Sequence, residues 1–258
     1  MRQEIRRLFA SARPITNSLD LERSLSRLGV RGVRAMFEEA ISNCRVKGET
    51  GYASEIMMLL PFVAEKIGKR AYSEALKHLE HEFEEIRSAS VTTIAQAVPE
   101  RSGSVLAVLL ADTSSMVRKT LITYLPATAP KFERYLVESL DSNDEDVVVE
   151  ACRRLVLDPL TSACGALSIL WGRASQRLKP DVLAALGACC KGTVRELVLS
   201  ALDDANWEMQ QAAISALGNL KARYALAKIR PFLTSGNREL SSAAELAVQK
   251  ILSTADPT

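Results

Sequence analysis

The two histidines of the chain lie together in "KHLEHEFEE". His78, His81, Glu82 and Glu85 are spaced as on one face of a helix, where imidazole and carboxylate side chains can converge on a metal ion. Leu79, however, belongs to a set of positions that end helices, so the cluster spans a turn and loses helical register. It reads as a solvated acidic loop with two ordinary histidines, and no metal or cofactor is expected. The five cysteines, Cys44, Cys152, Cys164, Cys189 and Cys190, show no CxxC spacing. The adjacent pair could close only a strained ring, so all five read as reduced thiols of a cytoplasmic protein. Cys152 takes an inward apolar position and reads as a packed thiol, whereas Cys189 and Cys190 lie near a hairpin connection between Gly187 and Gly192 and should be more accessible. There is no nucleophile elbow, phosphate-binding glycine loop or metalloprotease motif, and the expected function is non-enzymatic.

The elements that position these side chains follow from composition and periodicity. A chain of 258 residues with 47% hydrophobic and 25% charged residues exceeds the usual single core, so it must divide or grow as an extended stack. A net charge of +2 is too small for the whole surface to attract polyanions. "IMMLLPFVA" is far shorter than the roughly 20 apolar residues of a membrane span, and "MRQEIRRLFASARP" carries Glu4 and no stretch suited to a secretory signal. No membrane insertion is expected.

Ile86, Val117, Val147, Leu178, Met209 and Leu240 are separated by 31, 30, 31, 31 and 31 residues. Eight residues beyond each stand Ile94, Leu125, Leu155, Leu186, Leu217 and Val248, on the same helical face. Seven residues before each stand Leu79, Leu110, Leu140, Trp171, Leu202 and Leu233, and four earlier again Leu106, Leu136, Leu167, Val198 and Ile229. Ser90, Ala151, Ala213 and Ala244 are small, which lets neighbouring helices approach closely. Turns such as "ADTSSMVR", "DSNDEDVV" and "DDANWEMQ" offer Asp or Ser to the unpaired amides opening the second helix. Pro180 falls near a helix start, whereas Pro126 and Pro231 suggest bends or shorter helices. Each unit is a helical hairpin that cannot bury its apolar face alone, so the units stack. The expected architecture is all-α, an α-solenoid forming a single domain over 1–258. Residues 70–258 hold six repeats of about 31 residues, and 1–69 hold capping helices and a degenerate repeat, including "RGVRAMFEEAISNCRV" and "YASEIMMLLPFVAEKI".

The second helices of such a stack line its concave side, the default partner surface. Its expected exposed positions are Arg87, Arg118 with Lys119, Arg153 or Arg154, and Lys179, followed by Gln210 and Gln211. They form either a positive stripe for an acidic protein or peptide, or partners for turn carboxylates such as Asp112 and Asp144 inside the stack. The basic stretches "RQEIRR" and "KARYALAKIR" read as solvated faces. Trp171 shares a core position with five leucines. Trp207 either forms a hydrophobic staple or projects as a contact residue. Acidic stretches and the lack of interleaved aromatics disfavour nucleic acid.

These units resemble the HEAT repeat superfamily, in particular its short bacterial form named after phycobilisome lyases. "LVLSALDDANWEMQQAAISALGNL" is similar to the family's apolar hairpin that turns on Asp and closes with Ala-Leu-Gly. "LLADTSSMVRKTLITYL" carries Asp112, Val117 and Arg118 of the type, and the resemblance covers roughly residues 70 to 252. It implies a protein-binding scaffold or adaptor in a bacterial cytoplasm. The arginine that such repeats often carry appears as Arg87 and Arg118 and then becomes Val148, Lys179, Gln210 and Ser241, so no continuous Asp and Arg ladder is expected in the C-terminal half. The repeat subtype also resembles bilin lyases, and DNA glycosylases of HEAT-like fold give a nucleic-acid alternative, though no segment matches their active site. The HEAT-like hydroxylase of deoxyhypusine holds two irons with several His-Glu pairs from facing repeats. This chain has one such pair.

Overall fold

The computed structural model describes residues 2–11, 18–45, 51–129, 131–190 and 194–253, the side chains of 9–11, 18–22 and 51–55 excepted. Sixteen α-helices and no strand occur among them, joined by turns and short 3₁₀ segments. The chain is an all-α repeat protein of the helical-solenoid class, with two compact units, Met1–Phe132 and Glu133–Thr258.

The first unit contains α1 (Arg2–Ser11), α2 (Ser18–Arg27), α3 (Gly29–Arg45), α4 (Gly51–Ile67), α5 (Lys69–Ala75), α6 (Glu84–Ala97), α7 (Pro99–Leu106) and α8 (Ser115–Tyr124). Helices α4, α6 and α8 pack side by side, with α3 and α5 against α4 and α6. Burial of Glu39 and Glu74 in this unit is made tolerable by guanidinium partners. Arg6 Nε donates to Glu39 at 2.6 Å and Arg2 Nε at 3.3 Å, while Arg34 grips Glu74 with two bonds of 3.0 and 3.1 Å. The stretch "RQEIRR" is thus more than a solvated face, because Arg2 and Arg6 neutralise a carboxylate that is 3% exposed.

The second unit contains α9 (Phe132–Ser139), α10 (Glu145–Leu157), α11 (Cys164–Arg173), α12 (Lys179–Cys189), α13 (Arg195–Ser200), α14 (Trp207–Asn219), α15 (Leu226–Ile229) and α16 (Arg238–Leu252). Helices α10, α12, α14 and α16 form a row, and α11, α13 and α15 pack on its members. Pro180 lies in the first turn of α12, where its missing amide has no helical partner to lose. Pro126 follows the early end of α8, and Pro231 sits in the 3₁₀ segment Arg230–Thr234.

Most of the repeated apolar positions are the core, although Leu110, Trp171 and Leu233 of the series seven residues earlier are only half-buried. Ile86, Val117, Val147, Leu178, Met209 and Leu240 are all buried, as are the Leu106, Leu136, Leu167, Val198 and Ile229 set and the small Ser90, Ala151, Ala213 and Ala244. Each buried branched side chain is worth roughly 1.5–3 kcal/mol of transfer free energy. Val248, in the last helix, is half-exposed because no further hairpin covers it among the described residues.

A second periodicity lies in the turns. Ser114, Asp144, Ser175, Asn206 and Asn237, spaced by 30, 31, 31 and 31 residues, each accept an amide hydrogen bond at the start of a second helix. Two residues upstream, Asp112, Ser142, Asp204 and Ser235 accept from the next turn amide but one. Between them these side chains satisfy amides that the helix cannot. In the gap of this series stands Arg173, which has no acceptor and turns instead to Asp141 and the Leu140 carbonyl.

Close approach in the second row rests on Gly–Ala contacts. A Cβ on Gly187 would stand 2.9 Å from Ala216 Cα, and one on Gly218 would stand 2.8 Å from Ala247 Cα. Position 31 residues on repeats the same fit, since Ala216 follows Ala185 and Ala247 follows Ala216 at that spacing.

The cysteines depart from the expectation of five reduced thiols. Cys164 and Cys190 are joined by a disulfide, with Cα atoms 5.4 Å apart. An antiparallel hairpin sets the first residue of α11 beside the residue that follows α12, a proximity that 26 residues of sequence separation conceal. The inference from reduced thiols to a cytoplasmic location therefore loses its premise. Cys189 and Cys190 are 2% and 3% exposed, not accessible. Cys152 is buried as expected, and burial pushes its thiol up to about 12. Among the described residues no helix is long and apolar enough to cross a membrane.

Two measurements check this packing. Gly187→Val and Gly218→Val should each lower the unfolding free energy by about 1–3 kcal/mol in urea titration. Gly172→Ala, whose Cβ meets no atom within 4 Å, should be neutral or gain up to ~1 kcal/mol. Thiol titration of the unfolded, unreduced chain should count the three free cysteines Cys44, Cys152 and Cys189, and reduction should raise the count to five.

Candidate functional site

The second helices divide their polar side chains into two sets. In three of them the residue after the first apolar position points back over the turn. Arg87 Nη1 donates to the carbonyls of His81 and Glu82 at 2.8 and 3.2 Å, and Arg118 Nη1 to those of Asp112 and Thr113 at 3.1 and 2.9 Å. Gln210 Nε2 donates to the Asp204 carbonyl at 2.9 Å, six residues back, as in the other two. Arg87 also forms a bidentate pair with Asp112 of the next hairpin, 2.8 and 2.9 Å. Its side chain is 14% exposed and that of Asp112 is 6%. Arg87, Arg118 and Gln210 thus each close the turn before their own helix, and Arg87 also joins it to the next turn.

Burial pushes the Asp112 carboxyl up, but the hydrogen bonds from Arg87 and from the Ser114 amide outweigh it and hold Asp112 below the ordinary carboxylate range. The Arg87 guanidinium is correspondingly raised by its bond to Asp112.

The histidines belong to the same framework. His81 stands at the turn position that Asp112 and Asp204 occupy later, and its Nδ1 accepts from the Phe83 amide at 3.1 Å. His78 stacks on Phe37 with ring centroids 4.5 Å apart. Burial lowers both imidazoles below their ordinary value. Among the described residues no three His, Cys, Asp or Glu side chains converge as metal ligands.

The second set of positions lines grooves. Counted from the first apolar residue of each second helix, most of these are one residue before it and two, three, six and ten after it, and Trp207 stands two before it. At 3.6 residues per turn they share one face, and the residue immediately after the apolar position lies on the far side. In the second unit, α10, α12 and α14 enclose a groove of about 610 Å³ lined by Arg153, Leu157, Arg177, Asp181, Trp207 and Gln211, among others. Leu157 is 78% and Trp207 42% exposed. Arg153 Nε donates to Asp181 at 3.2 Å, and Arg177 reaches Asp146 at 3.3 Å and Glu145 at 3.8 Å. Both arginine side chains remain mostly in solvent, where such pairs hold each other weakly and exchange partners.

The residues expected along a stripe are thereby distributed. Arg153 and Gln211 meet in the groove, and Arg154 turns to Asp158 at 2.6 Å. Lys179 lies 5.5 Å from the ring centre of the half-buried Trp171, away from the groove lining. Lys119 is half-buried on α8 and has a partner there. Arg177, Asp181 and Leu157 enter the lining without having been anticipated. Their signal was present in the sequence as the face just described, which differs from the neighbouring positions by one residue of register.

No family model matches the sequence, and no curated protein matches it. Among solved structures, the chain is similar to an engineered protein determined by the Northeast Structural Genomics Consortium, at 18% identity over 90% of this chain and 74% of that one, TM-score 0.49. It is also similar to a designed armadillo repeat protein in complex with the peptide (KR)4, at 18% identity over 85% of this chain and 99% of that one, TM-score 0.35.

Because the folded Asp112 value is depressed, its contribution is complete above the unfolded carboxylate value near ~4 and is lost as pH falls through the lower folded value. Asp112→Asn should cost roughly 2 kcal/mol at neutral pH. Urea unfolding of both proteins should show that deficit shrinking as the pH is taken below about 4.

Proposed function

We propose that this protein is a non-enzymatic protein-binding scaffold, and that the α10–α12–α14 groove receives a partner segment carrying an apolar side chain beside a carboxylate. The observation that carries this reading is the joint exposure of Trp207 and Leu157 between Arg153 and Arg177 in one groove. Exposed aromatic and arginine side chains set in a concave, desolvatable site supply most of the energy of protein interfaces. Each arginine pairs only weakly with a carboxylate of its own chain, so its guanidinium stands at the groove with donors left for a second acid. The polar lining of Asp181, Glu208 and Gln211 gives register to the segment rather than attraction to any polyanion.

Selection of a random peptide library on the full chain tests the reading. Enriched peptides should pair an apolar residue with Asp or Glu, and Trp207→Ala or Arg177→Glu should weaken them at least about tenfold. Failure to enrich any peptide, or peptides indifferent to both substitutions, would remove this groove as the binding site.

A further inference from the structure

The first unit carries a groove of different chemistry, formed by α4, α6 and α8 and independent of the one just discussed. Helix α6 lies between the other two and presents small side chains, Ser88, Ala89 and Thr92, as a floor. Met58 and Phe62 rise from α4 on one side, and Met116 and Tyr124 from α8 on the other, around about 510 Å³. Met58, Phe62 and Met116 are 63%, 53% and 40% exposed, so three large apolar side chains face solvent at one site. A hydrogen bond of 2.7 Å between the Ser88 and Thr120 hydroxyls fastens the floor to α8. Glu65 and Glu85 also line the groove, and neither forms an ion pair with a described residue.

We infer that this groove is the docking site for an amphipathic helix of a partner protein whose apolar stripe is flanked by Lys or Arg. Its shape is a trough along α6, from Glu85 to Gln96, roughly 16 Å at 1.5 Å per residue, which matches about three turns of a docked helix. The floor of small residues admits the helix backbone, and the methionines, unbranched and polarizable, fit apolar anchors at i, i+4 and i+7. The carboxylates of Glu65 and Glu85 at an apolar site supply charge complementarity to a basic flank and repel an acidic one. The same carboxylates oppose an anionic bilayer surface, which selects a protein helix over a membrane as occupant.

The test uses the full chain and fluorescein-labelled synthetic helices of about 14 residues with a leucine stripe flanked by Lys or, in an isomer, by Glu, read by anisotropy at physiological salt. The Lys-flanked peptide should bind at least about tenfold more tightly than its isomer. Phe62→Asp and Met58→Asp, at exposed positions and checked for helical content by circular dichroism, should weaken it at least about tenfold. The double variant Glu65→Lys with Glu85→Lys should reverse the preference between the peptides. Trp207→Ala should leave this binding unchanged, which separates it from the groove of the second unit. Equal affinity for both peptides, no binding of either, or loss of binding in Trp207→Ala would overturn the assignment. Phe62-dependent sedimentation with phosphatidylserine vesicles in place of peptide binding would overturn it in favour of a membrane face.

Discussion

A two-helix hairpin of about 31 residues leaves one apolar face that nothing within the hairpin can cover, and the structure is organised by the need to cover it. In each unit the covering surface is the next second helix, which is why α4, α6 and α8 form one row and α10, α12, α14 and α16 another. Burial of the same positions, from Ile86 to Leu240, fixes the register between neighbours. Where helices approach most closely, at Gly187 and Gly218, the absence of a Cβ is what permits the approach. The core is therefore spread evenly along the sequence, one increment per repeat.

Stacking places every turn beside another turn, and the turns must satisfy their own backbone groups. Short acceptors take the amides opening each second helix, and the long donors Arg87, Arg118 and Gln210 take the carbonyls of the turn before it. These three side chains, one residue past the apolar position, are thus occupied with the backbone, although their polarity suggests surface residues. Arg87 adds a rung to Asp112 that joins two hairpins. The grooves lie on the opposite face of the same helices.

On that face the two units differ. Small residues and methionines with two glutamates line the groove of the first unit, whereas Trp207, Leu157 and two arginines line that of the second. Identical helix geometry thus presents unrelated chemistry, because most groove positions lie outside the apolar series that the repeat holds constant.

The spacing of apolar residues determined the helices, the hairpin repeat and the core, because burial demands the same side-chain type at the same helical angle in every unit. Turn capping was equally legible, since only a few short polar side chains reach an opening amide. The sequence also placed Arg153 and Gln211 on the second helices, but their grouping with Arg177, Asp181 and Trp207 was decided by packing, which brings residues from three helices together. Arg87 and Arg118 left both roles open in the sequence, and the proximity of turn carbonyls and of Asp112 decided theirs. For Cys164 and Cys190, the absence of CxxC spacing gave no sign of a pairing, and the antiparallel return of α12 along α11 set them side by side. What repeats is read from one strand of text, and what depends on distance between hairpins exists only once they are stacked.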